Sequence, residues 1–241
     1  MTWSIIARDA ASGAFGVAIA TRFFAVGALC PYAQSGVGAL STQALMNPHY
    51  GPQGLELLRA GVAAPEVVKR LIAPDEGREQ RQVHVIDAAG RIGQHTGAAC
   101  VDWCGATSGE GYSVAGNMLA GQAVIEETAR VYRENARLAF AERLIAALAA
   151  GEAAGGDKRG KQSAALLIHS TEDYPELSIR VDDHAEPIAE LIRICEKAHE
   201  RFIPFMRCGP RKAQPWGTLD RQEIERQIAD HAKSRTRNRA A

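Results

Sequence analysis

The chain has no surplus of charge: 28 Lys and Arg face 28 Asp and Glu across 241 residues. A general nucleic-acid binder needs an excess of Lys and Arg to neutralise phosphates, so that class is excluded. No apolar run approaches the ~20 residues that span a bilayer, which argues against a membrane helix. The opening MTWSIIARDA has no basic region, no long apolar region and no small-residue cleavage site. A signal peptide is therefore not expected, and a cytoplasmic protein is. Cysteine is scarce and odd in number (Cys30, Cys100, Cys104, Cys195 and Cys208), which excludes a disulfide framework in a chain of this size. Cys100 and Cys104 have no second pair at zinc spacing, so neither a metal nor a cofactor is expected. The familiar catalytic signatures are also missing: no G-x-S-x-G elbow, no P-loop, no H-E-x-x-H, no G-x-G-x-x-G after a strand. The seven histidines stand singly, without an i, i+4 pair, and read as surface or core residues.

What is present is an ordinary globular composition, 46 % apolar and 23 % charged. Its neutrality averages two unequal parts. From Arg207 onward there are nine basic and four acidic side chains, a net charge of +5, against −5 for residues 1–206. Cys208-Gly-Pro and Pro215 add boundary signals, so the reading is a body of residues 1–206 and a basic extension of residues 207–241. The extension is expected to hold a short helix, Leu219–Ala232, and a solvated, disorder-prone end, KSRTRNRAA.

Within the body, Trp3–Arg8 and Phe15–Thr21 read as strands joined by a Gly-containing hairpin loop, Asp9–Gly13. Val37–Leu45 reads as a third strand. Pro52–Gly61 and Ala64–Ile72 read as helices, with Pro65 in a first turn and Gly61 at an end. Gln82–Asp87 and Arg91–Gln94 form a second hairpin. Two longer helices follow, with Val124, Thr128, Val131 and Tyr132 on one face of the first and Phe140, Leu144, Ile145 and Leu148 on one face of the second. A charged glycine-rich loop, Gly151–Lys161, leads into Ser163–His169, a nearly all-apolar strand that Leu177–Val181 can pair with. A one-sided helix from Ile188 to Phe202 closes the body. Strands come in adjacent hairpins and helices in adjacent pairs. That order favours an α+β fold of antiparallel sheets packed together, with helix pairs covering the outer faces, over a doubly wound parallel sheet.

The unusual feature is Thr2, at the start of the first strand. Threonine is small enough for the initiator methionine to be removed, which would leave Thr2 with a free α-amine. One residue then carries both a hydroxyl nucleophile and a general base, because an α-amine has a reference pKa near ~8. By itself a threonine at position 2 is common and without meaning.

Several blocks together give it context: T-W-S-I-I-A-R-D at the start, then A-T-R-F-F-A-V-G-A, then T-Q-A-L-M-N-P-x-Y-G-P-x-G-L-E-L-L. Further along come R-Q-V-x-V-I-D, A-G-N-M-L-A-G, G-E-A-A-G-G-D-K-R-G-K-Q-S-A-A-L-L and R-V-D-D-H. With these blocks, spread over residues 2–204, the chain resembles the N-terminal-nucleophile (Ntn) hydrolase family catalogued as domain of unknown function 1028. The GGDKRGKQSA block is the most specific. The resemblance implies a four-layer αββα sandwich of two antiparallel sheets and amide-bond hydrolysis, and it names no substrate. Some relatives carry a further small C-terminal domain, whose function does not transfer to the basic tail.

On that reading Thr2 is the nucleophile. Arg22 stands where related folds place a cation that lowers the pKa of amine and hydroxyl, or alternatively pairs with Asp9 or another carboxylate. Asn117 is expected on a tight glycine-flanked turn after a strand, as an oxyanion donor or simply a turn asparagine. Asp157, Lys158, Arg159, Gln162 and Ser163 crowd the glycine-rich loop, placed to hold a carboxylate-bearing substrate, to steady the nucleophile, or to be solvated. Gln43, Asn47 and Tyr50 are expected to line the pocket with Pro48. Asp182, Asp183 and His184 read as a turn rather than a metal cluster. The expected partner is a small-molecule amide, with a homodimer expected by analogy. A protein of the same fold that binds a metabolite without turning it over is the alternative.

Overall fold

Strands β1 (Thr2–Arg8) and β2 (Phe15–Thr21) pair as the expected antiparallel hairpin. Both are buried on both faces over nearly their whole length, which is why they read as continuous apolar runs rather than alternating ones. The structure, a computed structural model, describes residues 2–240, and the side chains of residues 2–237. The expected loss of Met1 concerns a residue outside those described.

All strand pairings are antiparallel, and they build two sheets. The first orders β10 (Leu177–Val181), β9 (Ser163–His169), β2, β1, β8 (Tyr112–Leu119) and β7 (Trp103–Gly109). The second orders β3 (Pro31–Gln34), β4 (Gly38–Ala44), β5 (Arg81–Asp87) and β6 (Ile92–Thr96). The sheets face each other through β1, β2 and β8 on one side and β3, β4 and β5 on the other. Helices α1 (Tyr50–Arg59) and α2 (Ala64–Ile72) pack on the outer face of the four-stranded sheet, and α3 (Ala123–Glu134) and α4 (Phe140–Ala153) on that of the six-stranded sheet.

Strands β3 and β7 were not read as strands in advance, and for β8 only a strand ending before Asn117 was expected. Tyr112–Leu119 and Trp103–Gly109 carry Gly, Ser, Thr and Asn, and their β-structure comes from pairing rather than propensity. Asn117 accordingly lies inside β8, in register opposite Thr2, and not on a turn.

Because side chains alternate along a strand, one set of each strand meets the opposing sheet and the other meets helices. Ile6, Phe15, Val17, Ala33, Ala39 and Ile86 fill the space between the sheets. Leu40, Val83 and Val85 point the other way, into a cluster with Leu58, Val67, Val68 and Leu71 of α1 and α2. On the far side Trp3, 2 % exposed, lies under the end of α4. A Cβ on Gly151 would fall 2.6 Å from Trp3 Nε1 and 2.3 Å from Thr128 Oγ1, so only glycine lets the helix end close over the indole. Gly156, at φ +52°, covers the same ring from the loop that follows.

The described chain divides into two compact units, residues 1–191 and 192–241, and the division falls inside α5 (Pro187–Glu200). The boundary expected at residues 206–207 lies within the second unit. That unit contains α6 (Phe202–Arg207) and α7 (Arg221–Ala240). His199 and His231 stack there with ring centroids 5.8 Å apart, and Arg201 pairs with Glu225 at 2.6 Å. α7 runs well past the expected Leu219–Ala232, supported by i, i+3 pairs such as Lys233 with Asp230 and by Arg235 on Glu196. Among the described residues no helix is long and apolar enough to cross a membrane.

Candidate active site

The space between the sheets changes character along its length. Past the apolar cluster around Ile6 and Ile86, the inward positions become Ser4, Ser41, Gln43, Gln82, His84, Ser113 and Asn117, each no more than 1 % exposed. These side chains form a hydrogen-bonded chain from one sheet to the other. Ser4 Oγ donates to Gln43 Oε1 (2.7 Å) and lies 2.8 Å from His84 Nε2, while His84 Nδ1 lies 2.9 Å from Ser113 Oγ. Burial pushes the His84 imidazole down to about 3, so it is neutral. Since Ser4 spends its proton on Gln43, its oxygen accepts from His84 Nε2–H, and Nδ1 then accepts from the Ser113 hydroxyl. Gln43 Nε2 donates to Gln82 Oε1 at 2.7 Å and to the Ala115 carbonyl at 3.1 Å. Gln82 Oε1 also accepts from Asn117 Nδ2 (3.0 Å), and Gln82 Nε2 donates to Thr96 Oγ1 and the Gly105 and Gly116 carbonyls.

The network ends at Thr2. Asn117 Nδ2 makes its second, longer bond to the Thr2 carbonyl (3.4 Å), and the Thr2 hydroxyl donates to Thr21 Oγ1 (3.1 Å). Thr2 and Thr21 are 6 % and 1 % exposed. Directly after Thr21, the Arg22 backbone N–H donates to Asp157 Oδ2 (2.8 Å) and the Arg22 guanidinium to the Arg159 carbonyl (2.6 Å). The Asp157 side chain is fully buried; its other oxygen takes the Arg159 N–H (2.8 Å), and the Arg159 guanidinium lies 3.2 Å away. Asp157 therefore fastens the glycine-rich loop to the exit of β2, beside Thr21. Arg22 is bound to that loop and not to Asp9, which instead holds Ser12.

Beside Asn117 opens a cleft of about 380 Å³. Ala44 and Leu45 at the end of β4, Gln80, residues 99–101 and Asn117–Met118 of β8 line it. Two of these, Ala44 (φ 68°) and Met118 (φ 53°), hold left-handed backbone, as does Asp102 (φ 58°) just beyond Val101. Each such non-glycine residue costs on the order of 1–2 kcal/mol. Their grouping around one cleft marks it as a candidate site, since strain of this kind collects where function requires it. Burial raises the Cys100 thiol above its ordinary pKa, so it too is neutral.

The other expected site residues lie elsewhere. Gln43 is sealed in the inter-sheet network rather than open to a pocket. Asn47 Nδ2 (3.2 Å) and Tyr50 OH (2.6 Å) both donate to Asp75 Oδ2, which Arg81 also meets at 3.1 Å. The bond from Tyr50 holds the Asp75 carboxyl well below the usual carboxylate range, and burial pushes the Tyr50 hydroxyl up. That cluster anchors α1. Lys158 pairs with Asp102 at 2.5 Å. Gln162 Nε2 donates to Asp183 Oδ1 (3.2 Å), and Ser163 Oγ donates to the Phe23 carbonyl (2.5 Å) while accepting the Val26 N–H (3.1 Å). The structure thus brings Thr2, Asn117, Arg22, Asp157 and Arg159 into one connected region, and leaves Asn47 and Tyr50 outside it. Gln82, His84, Ser4 and Ser113 were missed: a polar residue at every second position of a strand signals a solvated face as readily as a buried one. Asp182 pairs with Arg180 (2.6 Å), and among the described residues no group of three His, Cys, Asp or Glu gathers to hold a metal.

Comparison with known proteins adds the following. A family model described as a family of unknown function, DUF1028, matches residues 2–191. The crystal structure of protein SPO2555 from Silicibacter pomeroyi, of the same family model, is 30 % identical with a TM-score of 0.85, over 91 % of this chain and 96 % of that one. Anbu (ancestral β-subunit) from Yersinia bercovieri is 12 % identical over 81 % of this chain and 94 % of that one, with a TM-score of 0.39. An Anbu mutant from Hyphomicrobium sp. strain MC1 also scores 0.39, at 12 % identity over 82 % and 94 %. Likenesses at that score carry no argument. A comparison with curated proteins finds no match. The match over residues 2–191, together with a solved relative aligned over nine-tenths of the chain, makes this chain a member of the DUF1028 family.

Proposed function

We propose that the protein is an Ntn-type amidohydrolase on an αββα sandwich, cleaving the C–N bond of a small or peptide-like amide with Thr2 as nucleophile once Met1 has been removed. The observation that carries the reading is the place of Thr2: in register with Asn117, which lines the strained cleft, and at the end of a buried polar network. In the proposed reaction the Thr2 Oγ attacks the amide carbonyl carbon and its proton passes to the Thr2 α-amine. The C–N bond of the tetrahedral intermediate breaks as that proton moves to the departing nitrogen, leaving an ester on Thr2. Water then adds to the ester carbonyl and gives a proton to the amine; the bond from that carbon to Thr2 Oγ breaks as the proton passes from the amine to Oγ, and the acid leaves. Asn117 Nδ2 supplies the oxyanion donor by exchanging its long bond to the Thr2 carbonyl, while its 3.0 Å bond to Gln82 fixes the amide. Arg22, bound through Asp157 and Arg159 to the loop beside Thr21, supplies the cation that favours the neutral amine.

Intact mass and N-terminal sequencing of the native protein, followed by incubation with an amide library and a search for an adduct on Thr2, test this. Loss of Met1, an adduct at Thr2, and a folded Thr2→Ala variant without turnover are expected. Turnover by protein that retains Met1, or undiminished turnover by Thr2→Ala, refutes it. A Thr2-independent gain in stability with ligands that are never converted favours a metabolite-binding protein instead.

A further inference from the structure

We infer that the cleft beside Asn117 takes an uncharged, apolar group of the substrate, with Leu45, Val101 and Met118 as the residues that select it; the inference rests on the amidohydrolase reading and narrows its substrate class. No residue lining the cleft is charged. Its polar side chains are two carboxamides, Gln80 and Asn117, and the Cys100 thiol, which burial keeps neutral. Carboxamides can bond both the oxygen and the nitrogen of an amide and offer no counter-charge.

The Lys and Arg side chains of the glycine-rich loop, and Arg81, are already matched by carboxylates within the protein, while Arg22 donates to the Arg159 carbonyl and Glu79, whose charge reaches Cys100, accepts the Ala98 N–H. Lys158 lies on Asp102 (2.5 Å), Arg159 on Asp157 (3.2 Å), and Lys161 on Glu186 (2.5 Å) and Glu152 (3.3 Å). Arg81, whose guanidinium reaches the Leu45 carbonyl, is held by Asp75 at 3.1 Å. A charged group entering the cleft would lose water without gaining an opposite charge from the residues that line it. Leu45 and Val101, by contrast, stand 59 % and 58 % exposed at the cleft, large apolar surfaces that an apolar ligand would remove from water. The inference favours a neutral substrate group over the carboxylate-bearing one that was among the roles expected of the charged loop.

The test measures equilibrium binding of three straight eight-carbon amides to the full chain: octanamide, its ω-carboxylate and its ω-ammonium analogue. Octanamide is expected to bind at least about tenfold more tightly than either charged analogue. Val101→Lys and Leu45→Asp, both at exposed positions that leave the core untouched, should each weaken octanamide about fivefold or more, and Val101→Lys should shift preference toward the carboxylate. Thermal unfolding confirms that the variants fold. Equal or tighter binding of a charged analogue, no binding of any of the three, or octanamide binding indifferent to both substitutions overturns the inference. The two readings separate cleanly. Selective binding of octanamide without any Thr2-dependent turnover sinks the hydrolase and keeps the apolar cleft, whereas Thr2-dependent turnover that favours the carboxylate does the reverse.

Discussion

Lowering the pH from 7 to 5 is expected to destabilise the protein through His84, and a His84→Gln variant isolates that effect. Burial between the sheets holds His84 at about 3, against 6.5 for an unburied histidine. The unfolded chain takes up the proton below about 6.5, and the folded chain does not until about 3. Stability from this residue is thus complete above 6.5 and is lost as pH falls toward 3, at up to ~1.4 kcal/mol per pH unit. Between pH 7 and pH 5 the loss comes to about 2 kcal/mol. Burial also depresses His169, His199 and His231, and their contributions are common to both proteins and cancel in the difference. Urea unfolding of wild type and His84→Gln at pH 7, 6 and 5, followed by circular dichroism, measures it. The variant is less stable at pH 7, because glutamine cannot reproduce both the Ser4 and the Ser113 contacts, but its stability should fall by about 2 kcal/mol less than that of the wild type. Equal losses in the two proteins would refute the argument that a neutral, sealed imidazole links the two sheets.

Two further outcomes follow from the packing. Gly151→Ala, which ought to favour a helix by about 1 kcal/mol, should instead lower the melting temperature, because the new methyl meets Thr128 and Trp3 at 2.3 and 2.6 Å; a stabilised variant would show that α4 does not close on the indole as described. Tyr50→Phe removes the 2.6 Å bond to Asp75 and should cost about 1.5–3 kcal/mol in chemical denaturation, since the acceptor is a carboxylate. A loss under about 0.5 kcal/mol, the scale of a neutral surface change, would return Tyr50 to the list of candidate ligand contacts.

Legibility followed the strength of local pattern. The hairpin β1–β2, the strand β9 and helix α2 carry unbroken apolar runs or clean stripes and were found close to their observed bounds, and one face each of α3 and α4 was found by its stripe. Strands β7 and β8 carry glycine and small polar residues, and pairing, of β8 with β1 and of β7 with β8, is what holds them extended. Asn117 was misplaced for that reason. Asn47 and Tyr50 were expected to line the pocket, whereas Asp75, 28 and 25 positions away, decides their orientation. The charged loop was read as holding a carboxylate-bearing substrate, steadying the nucleophile, or being solvated. Its cations turn out to be matched by Asp102, Asp157, Glu152 and Glu186, which no local pattern announces.

The absence of net charge over the whole chain says little about this site on its own. By itself the sequence determined the order of hairpins and helix pairs, because hydrophobic periodicity is a local property, and it drew attention to Thr2. Only the tertiary structure decided that Thr2 faces Asn117, that a neutral histidine and two glutamines are buried behind them, and that the adjoining cleft is uncharged. The physical reason is that alternation along a strand separates two faces without saying which is buried. Which face meets the other sheet, and which charges cancel before a ligand arrives, depends on residues tens to over a hundred positions apart meeting across the sandwich.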